Sequence, residues 1–143
     1  MKKDDSELFE KMHIAGKLAA RTLDELTPFV KPGVTTNFLD KICYEYIRDH
    51  GGNSAPLYYK GFPKSCCTST NHIVCHGIPS EKVLKDGDIM NVDVTAFVDE
   101  HHGDTGRMFC IGDVSVKSKN LVSATYESMM KAISIIKPGI KLG

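Results

Sequence analysis

The ten residues from Ile89 to Val98, IMNVDVTAFV, place an apolar side chain at every second position. Because successive side chains of a β-strand point to opposite faces, this alternation predicts a strand with one unbroken apolar face. The opposite face carries Asn91, Asp93 and Thr95. An aspartate in mid-strand is disfavoured, and its burial is costly unless the carboxylate is paired or bound to a metal. Asp93 is therefore a candidate functional residue.

A second aspartate, Asp104, lies in a second predicted strand that covers roughly residues 103 to 111. If the dipeptide Asp99-Glu100 forms a two-residue hairpin turn, Thr95 lies opposite Asp104, and Asp93 is its diagonal neighbour on the same face. Diagonal neighbours lie about 7–8 Å apart at the backbone, so two carboxylates there can converge on ions between them. Asp-Glu is not a favoured pair for such a turn, and a bulge at the start of the second strand would shift the register.

Two interpretations of this aspartate pair have equal weight from spacing alone. The first is a salt bridge, most obviously with Arg107. The second is a metal site, because a cation between two like charges relieves their repulsion. Oxygen ligands favour manganese, iron(II) or cobalt. Two such ions about 3.5–4 Å apart can activate a water molecule and polarise a carbonyl group.

Three amphipathic helices are predicted from apolar residues that recur with the helical period. The first covers residues 6–27, and its apolar face holds Leu8, Met12, Ala15, Ala19 and Leu26. The second runs from about Asn37 to His50, with Thr35 or Thr36 as its cap and Phe38, Leu39, Ile42, Cys43, Tyr46 and Ile47 as its apolar stripe. The third runs from about Ser118 to Ile136, with Leu121, Ala124, Tyr126, Met129, Met130 and Ile133 available for packing.

A short pattern recurs at the ends of the first and last helices. Lys31-Pro32-Gly33 is followed by Val34, and Lys137-Pro138-Gly139 is followed by Ile140. This recurrence is either a coincidence, because Lys-Pro-Gly is a common helix stop, or the mark of a repeated unit. In a repeat, the second unit has barely begun at Gly143, and its completion requires roughly another hundred residues.

Residues 53 to 80 have no clean period and contain three of the five cysteines and two of the six histidines. An irregular stretch of this length inside a domain is typical of a binding surface. Structural zinc sites usually use C-x2–4-C pairs, which the adjacent Cys66 and Cys67 do not provide. Tyr58, Tyr59 and Phe62 are either core residues or the wall of an apolar pocket. His101 and His102 are expected to be solvated loop residues.

Composition argues against several classes of function but does not identify one. The 143 residues suffice for one domain, and 18 basic residues balance 18 acidic residues. A neutral chain gives no electrostatic argument for a specific nucleic acid or an anionic membrane as partner. The N-terminus lacks a secretory signal pattern, and no apolar run approaches the roughly 18 residues of a membrane span. Five cysteines in such a chain indicate reduced thiols and a cytoplasmic location.

Three ordered motifs, NHIVCHGIP, DGDIMNVDVT and HGDTGRMF, closely resemble those of the bacterial-type, type I methionine aminopeptidases. GFPKSCCTSTN and KPGVTTNFLDKI match as well, so the resemblance covers essentially the whole chain. It implies an α/β (α+β) pita-bread fold, in which two pseudo-symmetric halves surround a central antiparallel sheet with flanking helices. Residues 1–143 then form a single, incomplete catalytic domain that consists of the first half and the first helix of the second.

The family removes the initiator methionine from nascent proteins with a small second residue, through attack by a metal-bridged hydroxide. The resemblance implies two divalent metal ions, which are cobalt, manganese, iron(II) or zinc, held by two aspartates, one histidine and two glutamates. The aspartates correspond to Asp93 and Asp104. Because the other three ligands belong to the second half, the chain alone is expected to be inactive.

The resemblance also implies roles for residues of the irregular segment. His76 corresponds to the catalytic histidine that contacts the substrate and stabilises the tetrahedral intermediate. Tyr59, Phe62 and Cys67 correspond to the pocket for the methionine side chain. The family often has tyrosine in place of Phe62 and cysteine in place of Pro56. Candidate ligands of a monovalent cation are Asn71 and the backbone of Ile73.

The partners implied are the N-termini of nascent peptides, including those at the ribosome. A monomer is expected for the complete enzyme, with no specific nucleic acid and no membrane as partner. Three alternatives stay open. These are a catalytically inactive pita-bread binding protein, a proline-specific aminopeptidase or dipeptidase of the same fold, and a zinc-binding module.

Overall fold

The computed structural model describes residues 5–141. Within these residues, three helices and four strands follow one another, with short single-turn helices at Thr27–Phe29 and Tyr59–Gly61. In chain order these are α1 (Ser6–Leu26), α2 (Thr36–Asp49), β1 (Asn53–Ser54), β2 (Cys67–Thr70), β3 (Ile89–Val98), β4 (His101–Cys110) and α3 (Val116–Ser134).

Strand β3 is the centre of the sheet and pairs antiparallel with each of the other three strands. Its pairing with β4 is uninterrupted, with Val98 opposite His101 and Thr95 opposite Asp104. The predicted register is therefore confirmed, and no bulge shifts it. Asp99 and Glu100 both have positive φ, 45° and 66°, as a type I′ turn requires.

Strand β4 begins two residues earlier than the sequence predicts. His101 and His102 belong to the strand, so their assignment to a loop is wrong, although His102 is exposed to solvent as expected. His101 is half-buried, and the ring of His102 lies 4.7 Å from the ring of Phe97, its partner across the hairpin. The tight turn explains the difference, because pairing resumes directly after Glu100.

The apolar face of β3 is the base of the core. Met90, Val92, Val94 and Ala96 are fully buried beneath α1 and α2. The helices contribute Ala15, Leu18, Ala19, Leu23, Leu26, Leu39, Cys43 and Ile47. Helix α1 packs on this face of the β3–β4 hairpin, and α2 packs beside it against α1 and β1. The opposite face carries Asp93 and Asp104, which are half-buried and exposed, respectively, among the described residues.

The predicted apolar face of α1 is partly wrong. Leu8 and Met12 are 43% and 47% exposed, whereas Leu18 and Leu23 are buried. Ala15, the first buried residue of the helix, lies against Gly103 near the tip of the hairpin. The preceding turns of α1 therefore have no sheet beneath them.

Helix α2 follows the prediction more closely. The hydroxyl of Thr35 caps its start by accepting a hydrogen bond of 3.2 Å from the Phe38 amide. Leu39, Cys43 and Ile47 of the predicted stripe are buried, whereas Phe38 is 44% exposed. A stripe that wide exceeds the area that the sheet can cover, so its edges remain in solvent.

Helix α3 has no buried residue. The apolar side chains that the sequence makes available for packing stay exposed within the described residues, and Leu121, Tyr126 and Ile133 are 51–60% exposed. No described helix is both long and apolar enough to cross a membrane.

The two Lys-Pro-Gly segments adopt the same turn. Gly33 and Gly139 have φ values of 90° and 86°. In each turn the lysine carbonyl accepts a hydrogen bond from the amide three residues later, at 3.4 Å in the first and 3.2 Å in the second. The similarity of the two segments therefore extends to backbone conformation, as a repeated unit requires.

Candidate active site

The open face of the β3–β4 hairpin forms the floor of a cavity of about 950 Å³. The irregular segment from Ala55 to Pro63 makes one wall. Six predicted site residues line the cavity, namely Tyr59, Phe62, Cys67, His76, Asp93 and Asp104. The expectation that the irregular segment makes a binding surface agrees with this arrangement.

The two aspartates share the floor because β3 and β4 place them on one face. Asp93 lies opposite Gly106, and Asp104 lies opposite Thr95, so the carboxylates are diagonal neighbours. The Thr95 hydroxyl donates a hydrogen bond of 3.0 Å to Asp104 Oδ1. Burial raises the pKa of Asp93, and the neighbouring Asp104 carboxylate raises it further, while His76 lowers it. The floor is therefore a site of crowded negative charge that a cation would stabilise.

Arg107 does not neutralise this pair. It lies opposite Val92 on the core side of the hairpin. Its guanidinium reaches α1, where it contacts Asp24 Oδ1 at 2.8 Å and the Thr27 hydroxyl at 3.0 Å. The salt-bridge interpretation with Arg107 is therefore wrong.

His76 lies at the rim of the cavity because the chain beside it is fixed to β2. The Thr68 amide donates to the Gly77 carbonyl at 2.8 Å, and the Gly77 amide donates to the Ser69 hydroxyl at 3.2 Å. A Cβ on Gly77 would lie 2.2 Å from the Thr68 carbonyl oxygen, so only glycine fits there. His76 has a positive φ of 53°, a strained conformation that such surroundings can hold.

Tyr59, Phe62 and Cys67 line one cavity, as the pocket prediction requires. Tyr59 is 65% exposed, so the pocket is open to solvent on its outer side. Burial, followed by the charge of Asp93, raises the pKa of Cys67 to about 11. The Cys67 thiol is therefore protonated at neutral pH and acts as apolar surface rather than as a nucleophile.

Thr95 and His102 also line the cavity and were not predicted as site residues. Thr95 orients the Asp104 carboxylate, and His102 projects from the same face two residues before it. The alternation of β4 could have identified His102, because residues 102, 104 and 106 share one face.

Asn71 and Ile73 do not line this cavity. Asn71 Nδ2 donates to Asp88 Oδ1 at 2.8 Å, and Asn71 Oδ1 accepts from the Ile89 amide at 3.1 Å. These bonds hold the turn between β2 and the following loop. A monovalent cation at Asn71 and Ile73 stays a prediction.

The residues fit a divalent metal in part. Asp93 and Asp104 offer carboxylate oxygens as metal ligands on one face. Among the described side chains that line their cavity, Lys60 is the one lysine, and there is no arginine. Within residues 5–141, no group of three or more histidine, cysteine, aspartate or glutamate side chains could hold a metal ion. The described chain thus offers two carboxylate ligands and not a complete coordination shell.

Comparison with known proteins gives the family. Residues 10–143 match the profile described as metallopeptidase family M24. Methionine aminopeptidase of Rickettsia prowazekii is 58% identical over 135 residues, which are 94% of this chain and 52% of that protein. Methionine aminopeptidase of Escherichia coli K12 is 50% identical over 135 residues, 93% and 51% of the two chains. The chain spans about half the length of these curated relatives.

Solved structures agree on the fold. The crystal structure of methionine aminopeptidase from Rickettsia prowazekii matches with a TM-score of 0.95 and 56% identity, over 100% of this chain and 58% of that one. Xaa-Pro dipeptidase from Bacillus anthracis, at 22% identity and a TM-score of 0.82, shares the fold over 98% of this chain and 38% of its own. The predicted pita-bread architecture with an antiparallel sheet is confirmed. The chain therefore belongs to metallopeptidase family M24, and within that family it resembles the bacterial methionine aminopeptidases.

Proposed function

We propose that the protein carrying this chain is a metallo-aminopeptidase that removes the initiator methionine from nascent proteins with a small second residue. The observation that carries the proposal is the cavity, which combines two neighbouring carboxylates with an apolar wall. The names of the relatives support it, because those proteins are methionine aminopeptidases. A cytoplasmic location and nascent peptides as partners belong to the same proposal, and the five free cysteines are consistent with it.

The apolar wall suits an unbranched thioether side chain. Tyr59 and Phe62 supply aromatic surface, and the protonated Cys67 thiol supplies a small, polarisable contact. Sulfur in a ligand side chain packs favourably against aromatic rings. Phe62 lacks a hydroxyl, so its own contribution to selection is shape and apolar contact.

The carboxylate floor would hold the metal ions. Asp93 and Asp104 are the residues that would bind them, and the ions proposed are cobalt, manganese, iron(II) or zinc. When bound, such ions supply an activated water molecule and polarise the carbonyl of the first peptide bond. Thr95 holds the Asp104 carboxylate by its 3.0 Å hydrogen bond and so leaves the other carboxylate oxygen available.

His76 is the residue proposed to act on the substrate. Its position at the rim lets the imidazole donate a hydrogen bond to the carbonyl oxygen of the first residue as negative charge develops there. The close fit of Gly77 against the Thr68 carbonyl fixes the backbone from which the His76 side chain projects, so that less of the protein has to reorganise when charge develops on the substrate.

A peptide panel tests the proposal. The protein, produced with its natural ends and supplied with manganese or cobalt, should release methionine from Met-Ala-Ser. It should act far more slowly on Leu-Ala-Ser, and on Met-Lys-Ser, whose second residue is large. Equal rates on all three peptides, or no release from Met-Ala-Ser, would contradict the proposal.

A further inference from the structure

Asp40 is a buried carboxylate on α2 that lies outside the cavity. It is 9% exposed. One of its oxygens, Oδ1, accepts three hydrogen bonds from the corner of the chain at Ser65 and Cys66. The donors are the Ser65 amide at 2.8 Å, the Ser65 hydroxyl at 2.6 Å and the Cys66 amide at 3.1 Å. The Ser65 hydroxyl also lies 3.0 Å from the Asp40 backbone carbonyl. Hydrogen bonds to an ionised carboxylate are roughly twice as strong as neutral ones, so this corner is firmly held.

The corner that Asp40 holds directly precedes β2. Cys66 is the only residue between Ser65 and Cys67, which begins the strand opposite Asp93. The segment before the corner contains Phe62, part of the cavity wall. Its other end is fixed where β1 pairs with β3. The wall of the cavity is therefore a loop held at two anchors, and Asp40 makes the second anchor.

This loop needs firm anchors because its backbone is strained. Tyr58 and Lys60 have positive φ values of 67° and 48°, which side chains other than glycine rarely adopt. Such residues persist only where the surrounding structure holds them. The Tyr58 amide donates to the Phe62 carbonyl at 2.7 Å, which closes the loop locally, but that bond does not tie the loop to the rest of the molecule.

We propose that Asp40 is a positioning residue that shapes the pocket for the first side chain of the substrate, through Ser65 and Cys66. This inference rests on the proposed function and adds to it. Asp40 touches neither the cavity nor the aspartate pair. Its loss should therefore loosen the wall at Phe62 and Cys67 while the carboxylate floor, held by β3 and β4, keeps its geometry.

The test uses the protein with its natural ends, in the variants Asp40→Ala, Asp40→Asn and Ser65→Ala. Asp49→Ala is the matched control, because Asp49 is an exposed aspartate on the same helix. In Asp40→Ala the KM for Met-Ala-Ser should rise about tenfold, and the preference for Met-Ala-Ser over Leu-Ala-Ser should fall by a similar factor. Asp40→Asn should recover part of both losses, because it keeps an acceptor oxygen but loses the charge that strengthens those bonds and that lies 4.0 Å from the Lys64 ammonium.

The split between KM and kcat separates positioning from simple stability. A partly unfolded variant contains less active protein, which lowers kcat and leaves KM unchanged. A fall in kcat with unchanged KM and unchanged preference would overturn the inference. If Asp40→Ala does not fold, Ser65→Ala decides, because it removes only the two contacts of the Ser65 hydroxyl, 2.6 Å to Oδ1 and 3.0 Å to the Asp40 carbonyl, and keeps both amide bonds to the carboxylate. It should shift KM in the same direction.

The wild-type protein separates this inference from the proposed function. If it releases methionine but the variants match it in KM and preference, only the role of Asp40 is wrong. If it releases no methionine, the proposed function is contradicted and the role of Asp40 falls with it.

Discussion

At the scale of single residues, the cavity combines side chains that are individually ordinary. Asp93 has a raised pKa because burial and Asp104 both oppose its charge. His76 sits at the rim, and the Cys67 thiol faces the same space. Their proximity, and not the chemistry of any one of them, makes the cavity a candidate active site.

Cys67 should react with alkylating reagents far more slowly than the exposed cysteines. Its pKa of about 11 lies well above neutral pH, so little thiolate is present at pH 8, and the side chain is also buried. Cys75 and Cys110 are exposed and serve as controls within the same molecule. Iodoacetamide labelling followed by peptide mass spectrometry measures all three, and the Cys67 rate should climb as the pH is raised towards 11. Labelling of Cys67 as fast as Cys75 at pH 8 would disprove this.

His76→Ala should lower kcat for Met-Ala-Ser by about 100-fold or more, the usual cost of losing one donor to a developing oxyanion. Metal content should change little, because His76 is not among the proposed ligands. His50→Ala is the control, since His50 is an exposed histidine stacked on Tyr46 at 4.0 Å and does not line the cavity. Unchanged kcat in His76→Ala would remove His76 from the mechanism.

At the scale of elements, the β3–β4 hairpin places the two aspartates. The period of two in residues 89–98 was sufficient to predict the strand and its apolar face, whereas the register with β4 followed from taking Asp99-Glu100 as a two-residue turn. The start of β4 could not be predicted as well, because Asp-Glu is a poor turn pair by composition and a longer loop was the more plausible reading. The structure instead accommodates both residues at positive φ.

Substitutions in the turn test whether the positive φ angles of Asp99 and Glu100 cost stability. Replacing Asp99-Glu100 by Asn-Gly should raise the free energy of unfolding by about 1 kcal/mol, because Asn and Gly tolerate the left-handed conformation that both positions require. Glu100→Val should lower it by a similar amount, since a β-branched residue opposes φ of 66°. Urea denaturation of this chain measures both. A loss of stability with Asn-Gly would show that the turn has another conformation.

Helix packing was only partly predictable from the sequence. The periodicity of α1 shows an apolar face but not how far the sheet extends beneath it, so Leu8 and Met12 were wrongly included. For α3 the period is present, yet none of its residues is buried within the described chain. The tether from Asp40 to Ser65 joins residues 25 apart in sequence, and no local pattern predicts it.

At the scale of the whole molecule, the chain spans about half the length of its curated relatives. It supplies one wall and the floor of the cavity. Motif resemblance identified the cavity residues, whereas spacing alone left the aspartates balanced between a salt bridge and a metal site. The structure excludes a salt bridge between the pair and Arg107, because the Arg107 guanidinium binds Asp24 instead. The absence of turnover by the 143-residue polypeptide alone stays a prediction, based on its two carboxylate ligands.

Metal-dependent methionine release tests the central claim most directly. The protein with its natural ends is stripped with EDTA, supplied again with manganese, and assayed on Met-Ala-Ser beside Asp104→Asn and the surface control Asp49→Ala. Wild type and Asp49→Ala should lose activity on stripping and regain it with manganese, while Asp104→Asn should bind less metal and recover at most about 1% of the rate. Full activity after stripping, or an Asp104→Asn variant that equals wild type, would contradict the claim that these aspartates hold the catalytic metal.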